Sequence, residues 1–326
     1  MRLPTPKRNW IVPALALTVA GAAALTHKAS AAPTGPEALQ RCARRVAISI
    51  TGKAPSAELL ASPNPQGQVD QLVASTDFIE RFSGYINSEM NPGTGMTPVE
   101  DASYHMMKYV LTNNLPYKDM FLGKYNVNSP NGMPNTVTVD ADPAGLGYFH
   151  SRAWLVRYAG NEPAGIKIVT AYRIMQNVVG LKLTAVSNAP TTDVSKNARI
   201  TNVNCSQCHL PDTAVETTKW WGLDKIASIL TVRKGMGNNM TFDPQTTAEI
   251  DIAGQKIHND IELVQLLTSS EDFNFNVCRL AFKYLNGRAE NTCEAAVFDK
   301  CVADFKASGK IQAAVASIAK DTNFCQ

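Results

Sequence analysis

Three observations predict a mainly α fold for this chain of 326 residues. Apolar residues recur three and four positions apart along most of the chain, which is the spacing of an amphipathic helix. Capping residues and glycines divide these stretches into segments of helix length. A composition of 44% hydrophobic and 18% charged residues is that of a globular protein and argues against a disordered or coiled-coil chain.

The first 31 residues have the pattern of an export signal. Basic residues precede an apolar run from Ile11 to Leu25, and Ala29-Ser30-Ala31 is a small-residue cleavage signature. The run is about fifteen residues long, shorter than the roughly 20 that a membrane-spanning helix needs. We therefore expect cleavage after Ala31 and a periplasmic or extracellular mature protein without a membrane span. A retained N-terminal anchor is the alternative, and a lipoprotein is disfavoured because no Cys lies at the cleavage point.

Cleavage would change the sign of the net charge. The whole chain has 31 basic and 28 acidic residues, a formal charge of +3. Residues 1–31 contain four of the basic residues and no acidic one, so the mature chain would have 27 basic against 28 acidic residues. A balance this close to zero gives no indication of nucleic acid or an anionic membrane surface as a partner.

The N-terminal module, predicted to span residues 32–135, is helical in five segments. These are 37–48, 69–73, 78–86, 98–111 and 116–122. The clearest start signal is a capping box, with Thr97 as N-cap, Pro98 at the first helical position and Glu100 at the third. Residues 125–147 are rich in Asn, Pro, Gly and Asp, and they predict a long loop towards the middle module.

The middle module, predicted to span residues 136–255, alternates helix and loop. A mostly buried helix is expected over 163–179, ending at Gly180, and a short one over 221–230. Thr241-Phe242 and Ile250-Asp251-Ile252 are predicted to pair as a small hairpin.

The C-terminal module, predicted to span residues 256–326, contains four helices. They are expected over 261–267, 273–285, 294–307 and 311–319. In three places a capping residue precedes a Phe by three positions: Ser75 and Phe78, Ser270 and Phe273, Asp321 and Phe324. Each pair predicts a helix cap followed by an apolar anchor, and their unequal spacing argues against a repeat architecture.

The motif with the most chemical content is Cys205-Ser206-Gln207-Cys208-His209, the attachment sequence for a c-type haem. The two thiols add across the two vinyl groups of the porphyrin, and His209 supplies the proximal nitrogen to iron. Export agrees with this interpretation, because covalent haem attachment occurs outside the cytoplasm. The sequence therefore predicts one covalent haem c.

Three other uses of the two motif cysteines fit the sequence less well. A zinc site would need a second Cys/His pair, and only His258 lies before the next cysteine, Cys278. A thioredoxin-like pair would follow a strand, whereas residues 197–204 are polar and loop-like. A disulfide between cysteines this close in sequence is sterically poor.

The sixth iron ligand decides between an electron carrier and a catalyst. Met240 and Met236 follow the motif in a Gly- and Asn-rich segment and are the first candidates, although methionines more often fill gaps in a core. His150 is the second choice, and His105 and His258 are the remaining histidines of the mature chain.

Five cysteines remain after the haem is assigned: Cys42, Cys278, Cys293, Cys301 and Cys325. In an oxidising compartment they can form disulfides. The preferred pairing is Cys293 with Cys301 and Cys278 with Cys325, which leaves Cys42 over, but sequence alone does not determine connectivity. Eight positions span about 12 Å in a straight helix, so the first pair requires the helix to begin after Cys293.

Three parts of the chain resemble exported cytochrome c domain proteins of planctomycetes and myxobacteria, a group of largely unassigned function. These parts are 45–56 with 71–78, 144–154 with 205–209, and 273–288 with 318–324. The resemblance implies a helical, exported, haem-binding protein and no particular substrate. After His209 this chain has Leu210-Pro211-Asp212 where the group usually has Asp-Pro.

The predicted function is one-electron transfer with an exported redox partner protein, and no catalytic residue is assigned. One alternative is a haem enzyme with an open distal site, such as a peroxidase-like oxidoreductase. Another is a haem-containing interaction subunit in a complex with other exported cytochromes, because about 290 residues are far more than one haem requires. No Gly-rich phosphate loop or nucleophile elbow is present in the sequence.

Overall fold

A computed structural model describes residues 35–91, 100–128, 136–158, 168–182, 223–234, 241–243, 248–252 and 254–326. The predicted export signal, residues 1–31, lies outside these ranges. Over the described residues the fold is mainly α, as the sequence predicts, with three two-stranded antiparallel sheets. Within the same ranges no helix is both long and apolar enough to cross a bilayer.

The N-terminal part of the chain is helical, as predicted. Its helices are α1 (Pro36–Thr51), α2 (Ala57–Ala61), α3 (Val69–Val73), α4 (Thr76–Met90), α5 (Ala102–Thr112) and α6 (Asp119–Leu122). The chain leaves α1 at Gly52, whose φ of 75° is readily adopted by glycine. The hydroxyl of Ser75 accepts a hydrogen bond from the backbone N–H of Phe78 and so begins α4.

Helix α5 begins later than the capping-box pattern predicts. The predicted helix over 98–111 does not run unbroken through Asp101, which has φ −88° and ψ 43° and lies outside the helical region. Its Oδ1 accepts hydrogen bonds from the amides of Asn87 and Asn91 at 3.1 and 3.2 Å. Asp101 thus binds the end of α4, and the regular helix starts at the next residue. Thr97 and Pro98, the first two residues of the predicted capping box, lie outside the described residues.

The long loop predicted over 125–147 is also wrong, because this segment contains a hairpin. Strand β1 (Tyr125–Asn128) pairs antiparallel with β2 (Thr138–Ala141). Along β1 the side chains of Tyr125 and Val127 are buried and that of Asn128 is exposed, which is the alternation of a half-buried strand.

In the middle of the chain the helices are α7 (Arg152–Tyr158), α8 (Ile168–Val179) and α9 (Leu223–Ser228). Helix α8 ends before Gly180, which has φ 72°, as predicted. Residues 159–167 lie outside the described ranges, so the predicted start of this helix at 163 is not described. Helix α9 falls within the short helix predicted over 221–230, and α7 was not predicted from the sequence.

Two further hairpins differ from the one that the sequence predicts. Strand β3 (Val232–Lys234) pairs with β4 (Thr241–Asp243), and β5 (Ile250–Ile252) pairs with β6 (Gln255–Ile257). The predicted pairing of 241–242 with 250–252 is therefore wrong. In the observed arrangement β5 pairs across a very short connection, which keeps the entropic cost of loop closure low.

The C-terminal part confirms the four predicted helices. They are α10 (Asp260–Thr268), α11 (Glu271–Asn286), α12 (Ala295–Ser308) and α13 (Ile311–Ala319), with 3₁₀ turns at Thr292–Glu294 and Thr322–Cys325. Ser270 and Asp321 each accept a backbone hydrogen bond with their side chains, so the three predicted caps are all present. The phenylalanines that follow the caps, Phe78, Phe273 and Phe324, are at most 5% exposed.

Helix α11 lies at the centre of the core and packs against α1, α8, α10, α12 and α13. Apolar residues from all three predicted modules join one buried cluster. The predicted boundary between residues 255 and 256 falls inside β6. The division into three modules stays a prediction.

The disulfide pairs differ from the predicted ones. Cys42 is bonded to Cys325, and Cys278 to Cys301. The predicted pairs, Cys293 with Cys301 and Cys278 with Cys325, are therefore wrong. Cys293, and not Cys42, is the free thiol among the described cysteines, and it is exposed.

Burial explains why Cys293 is not one of the bonded cysteines. Cys42, Cys278 and Cys301 are at most 1% exposed and lie in the core on α1, α11 and α12. Cys293 lies instead on the turn before α12, outside the core. The turn that contains Cys325 lies against α1, where Arg45 donates a 2.9 Å hydrogen bond to the carbonyl of Gln326.

Candidate functional site

The predicted haem-attachment motif, Cys205 to His209, lies outside the described residues. The two methionines predicted as distal ligands, Met236 and Met240, also lie outside them. The described residues therefore show which elements hold the chain on either side of these positions.

The segment with the motif connects α8 to α9, and these two helices pack against each other. Val178 of α8 and Ile226 of α9 are completely buried in the common core. Both helices that flank the motif are thus fixed by apolar packing.

The two methionines belong to the connection between β3 and β4. The register places Lys234 opposite Thr241 and Val232 opposite Asp243. Met240 directly precedes β4, and Met236 follows β3 by two positions. Hydrogen bonds between the two strands therefore hold the chain together on both sides of the methionine pair.

His150 lies in a tight turn between β2 and α7. The turn depends on Gly147, which has φ 48°, because a Cβ there would lie 2.3 Å from the carbonyl oxygen of Met120. The backbone N–H of Tyr148 donates to the same carbonyl at 2.8 Å. Tyr148 and Phe149 are buried, which fixes the backbone that leads to His150.

Both ring nitrogens of His150 have partners. Nδ1 lies 2.9 Å from the carbonyl oxygen of Ala144, and Nε2 lies 3.2 Å from Oδ2 of Asp260. The same carboxylate oxygen accepts a 2.6 Å hydrogen bond from the hydroxyl of Thr231. The side chains of His150 and Asp260 are only 17% and 9% exposed. We call His150, Asp260 and Thr231 the His–Asp–Thr network.

The His–Asp–Thr network joins three parts of the chain. His150 comes from the turn before α7, Asp260 is the first residue of α10, and Thr231 directly precedes β3. The network therefore fixes the start of β3, the first strand of the hairpin whose connection contains Met236 and Met240.

Charge and burial act in opposite directions on this pair. Burial lowers the pKa of His150, but the hydrogen bond and negative charge of Asp260 outweigh it, and the pKa is raised above its ordinary value. For Asp260, burial raises the pKa, yet the hydrogen bonds from His150 and Thr231 and the charge of His150 lower it overall. Both shifts favour an imidazolium paired with a carboxylate.

Iron coordination by His150 would require one of its two hydrogen bonds to break.

The other two described histidines differ in their surroundings. His258 is exposed, with Nδ1 2.9 Å from Glu262 and Nε2 3.2 Å from Glu249. His105 is partly buried on α5, and its ring lies 5.0 Å from that of Tyr104.

Sequence reasoning missed Asp260 and Thr231 as partners of His150. A local signal existed for Asp260, because Asn259 and Glu262 have the spacing of a helix cap, and Asn259 does accept from the N–H of Glu262. No local pattern indicates that this helix start faces a histidine 110 positions earlier in the chain.

Comparison of the chain with protein-family models, with curated proteins and with solved structures finds no match.

Proposed function

We propose that this protein is an exported monohaem c-type cytochrome that carries out one-electron transfer. The observation that carries the proposal is the sequence Cys205-Ser206-Gln207-Cys208-His209, which has the residue types and spacing for covalent attachment of one haem. In this role Cys205 and Cys208 bind the porphyrin and His209 binds the iron.

The cysteine pattern supports the exported location. Four of the five cysteines outside the motif form disulfides, which persist in oxidising compartments such as the periplasm. The motif cysteines are then the remaining pair, and Cys293 is the single exposed thiol among the described cysteines.

A haem closed by two protein ligands supplies one-electron chemistry. We assign the second ligand to Met240 or Met236 in preference to His150. Both methionines belong to the connection between β3 and β4, and the start of β3 is fixed by the hydrogen bond from Thr231 to Asp260. Both nitrogens of His150, in contrast, already have hydrogen-bond partners.

Covalent haem is tested by producing the full chain in a host with the haem-attachment machinery. We expect haem to stay with the polypeptide on a denaturing gel. It should be lost when Cys205 and Cys208 are both replaced by Ser, and retained in Cys293→Ser, the matched control. Absence of covalent haem from the wild-type chain would overturn the proposal.

Visible spectra then separate the carrier from the haem enzyme. A carrier with Met ligation shows a low-spin spectrum with a Met-to-iron charge-transfer band and binds no added cyanide. Met236→Ala and Met240→Ala, made separately, identify the ligand by loss of that band. A high-spin ferric spectrum with ready cyanide binding would favour the peroxidase-like alternative.

The remaining alternative is an interaction subunit, in which the haem is structural and the helices contact other exported cytochromes. It predicts a stable complex on co-purification and negligible electron exchange of the isolated protein with a small soluble cytochrome. Fast exchange by the isolated chain would support the carrier.

A further inference from the structure

One side of helix α1 is open to solvent and combines positive charge with an apolar side chain. Arg41, Arg44 and Ile48 are all exposed, and their spacing of three and four positions places them on the same side of the helix. Ile48 is 52% exposed, and in the described part of the chain only one other large hydrophobic side chain is more than half exposed. We call these three residues the α1 ridge.

The chain itself leaves the positive charge of the α1 ridge largely unbalanced. None of the ion pairs among the described residues includes Arg44. Arg41 lies 3.6 Å from Glu37, but both side chains are mostly exposed, so solvent screens this pair. The third arginine of α1, Arg45, instead donates to the carbonyl of Gln326. The α1 ridge therefore has positive charge available to a partner.

A pocket of about 270 Å³ lies beside the last turn of the same helix. Nη1 of Arg81 donates to the backbone carbonyls of Ile48 and, at 2.7 Å, of Ser49. The hydroxyl of Tyr284 donates to the carbonyl of Ile50. These bonds hold the wall of the pocket against α1, so the pocket and the α1 ridge form one continuous surface. The pocket is lined by Arg81, Tyr85, Lys283, Tyr284 and Gly287.

The side chains of this pocket are of the types that contribute most to protein–protein binding, because Tyr and Arg are enriched at interface hot spots. Cζ of Arg81 lies 5.2 Å from the ring centre of Tyr284, and the rings of Tyr85 and Tyr284 are 5.3 Å apart. Lys283 is paired with Glu89, whereas Arg81 has no carboxylate partner among the described residues. These contacts fix Arg81 and both tyrosines in advance, so little side-chain entropy is lost when a partner binds.

We propose that the α1 ridge and the adjoining pocket form a docking surface for a protein with an acidic surface. The guanidinium groups of Arg41 and Arg44 bind carboxylates of that partner, since their planar donors match the carboxylate geometry. One further carboxylate enters the pocket beside Arg81, and Ile48 contacts an apolar side chain among the acidic ones. The surface uses no residue of the haem motif, so it stands or falls separately from the proposed electron transfer.

The shape of the surface favours a protein over an anionic membrane. A helix that lies on a bilayer inserts a broad apolar face into it. The apolar face of α1, which includes Val46 and Ile50, is instead buried in the core. Ile48 is then the single large apolar side chain that α1 exposes, and one aliphatic anchor beside a pocket suits the side chains of a protein surface.

The probe is an end-capped peptide of sequence Glu-Glu-Leu-Glu-Glu-Leu-Glu-Glu, titrated calorimetrically into the full chain at low ionic strength. One matched peptide has Gln in place of every Glu, and another has Ser in place of every Leu. We expect the acidic Leu peptide to bind at one site per chain, the Gln peptide at least about tenfold more weakly and the Ser peptide about threefold more weakly. Sedimentation with vesicles of phosphatidylglycerol and phosphatidylcholine in equal parts should leave the protein in solution. Retention by the vesicles would overturn the assignment to a protein partner.

Variants with matched changes of charge locate the surface. Arg41→Gln with Arg44→Gln removes two positive charges from the α1 ridge, and Lys118→Gln with Lys124→Gln removes two from exposed lysines near α6. The first pair should weaken binding of the acidic Leu peptide at least about fivefold, and the control pair less than about twofold. Ile48→Ser should weaken binding of the Leu peptide about threefold and leave that of the Ser peptide unchanged.

All of the replaced side chains are exposed, so each variant should melt close to the wild-type temperature. Equal weakening by the two double variants would show attraction to the charge of the whole molecule and would overturn the docking surface. Failure of the wild type to bind the acidic Leu peptide would overturn it as well.

Discussion

Nε2 of His150 lies 3.2 Å from the carboxylate of Asp260, across 110 positions of sequence, in a place where neither side chain is more than 17% exposed. The pKa of His150 is raised and that of Asp260 is lowered, because each residue stabilises the charged form of the other. We therefore expect this pair to make the stability of the fold depend on pH.

The stabilising contribution of His150 should be largest in mildly acidic solution. Its folded pKa is raised, so the contribution is complete below the unfolded value of about 6.5 and is lost as pH rises through the folded pKa. We expect His150→Asn to cost about 3 kcal/mol at pH 5.5 and clearly less at pH 9. Denaturant unfolding at the two pH values measures this difference, and an equal loss at both would contradict the ion pair.

Asp260 should respond in the opposite direction. Its folded pKa is lowered, so its contribution is present above the unfolded value of about 3.9 and is lost as pH falls through the folded pKa. Asp260→Asn should therefore reduce the free energy of unfolding at pH 6 and have a smaller effect near pH 2. Chemical denaturation across this range checks the prediction.

The hydroxyl of Thr231 should be coupled to the same carboxylate. Thr231→Val removes the 2.6 Å hydrogen bond and is expected to cost about 1–2 kcal/mol. Combined with Asp260→Asn, the two costs should not add, and a double-mutant cycle should give a coupling of at least about 0.5 kcal/mol. Additive effects would show that Thr231 acts independently of Asp260.

Gly147 should tolerate alanine much less well than another glycine with a similar φ. At Gly147 a Cβ would lie 2.3 Å from a backbone oxygen, whereas at Gly287, with φ 67°, nothing lies within 4 Å. Gly287→Ala should cost about 1 kcal/mol from backbone strain, and Gly147→Ala should cost at least about 2 kcal/mol more. Thermal unfolding of the two variants provides the comparison.

The disulfides should contribute unequally to stability. Cys42 and Cys325 are separated by 283 positions and Cys278 and Cys301 by 23, and the longer loop restricts the unfolded chain more. Replacing the first pair by Ser should cost about 5 kcal/mol and the second about 3 kcal/mol, with Cys293→Ser close to neutral as the control. Peptide mapping without reduction should recover the two linked pairs, and a link to Cys293 would contradict the assignment.

Features encoded by local spacing were the ones that sequence predicted well. The C-terminal helices and the caps at Ser75, Ser270 and Asp321 depend on residues within one or two turns of each other, and all are present. The turn at Gly180 was predicted for the same reason.

Features that depend on distant contacts were predicted poorly. The start of α5 is set by Asp101 binding the end of α4, and the disulfides are set by which helices pack together. Strand β1 was not predicted, because its two buried residues, Tyr125 and Val127, are too few to give a clear alternation of apolar and polar positions. The surroundings of His150 could not be predicted because Asp260 reaches it only through the tertiary fold.

The bond between Cys42 and Cys325 makes nearly all of the described chain a covalent ring. Cleavage of one peptide bond within that ring, for example by a protease acting on an exposed connection, would leave both pieces attached. A nicked molecule would therefore migrate as one chain without reductant and as two with it. Its core could also stay assembled, since neither fragment would be free to diffuse away.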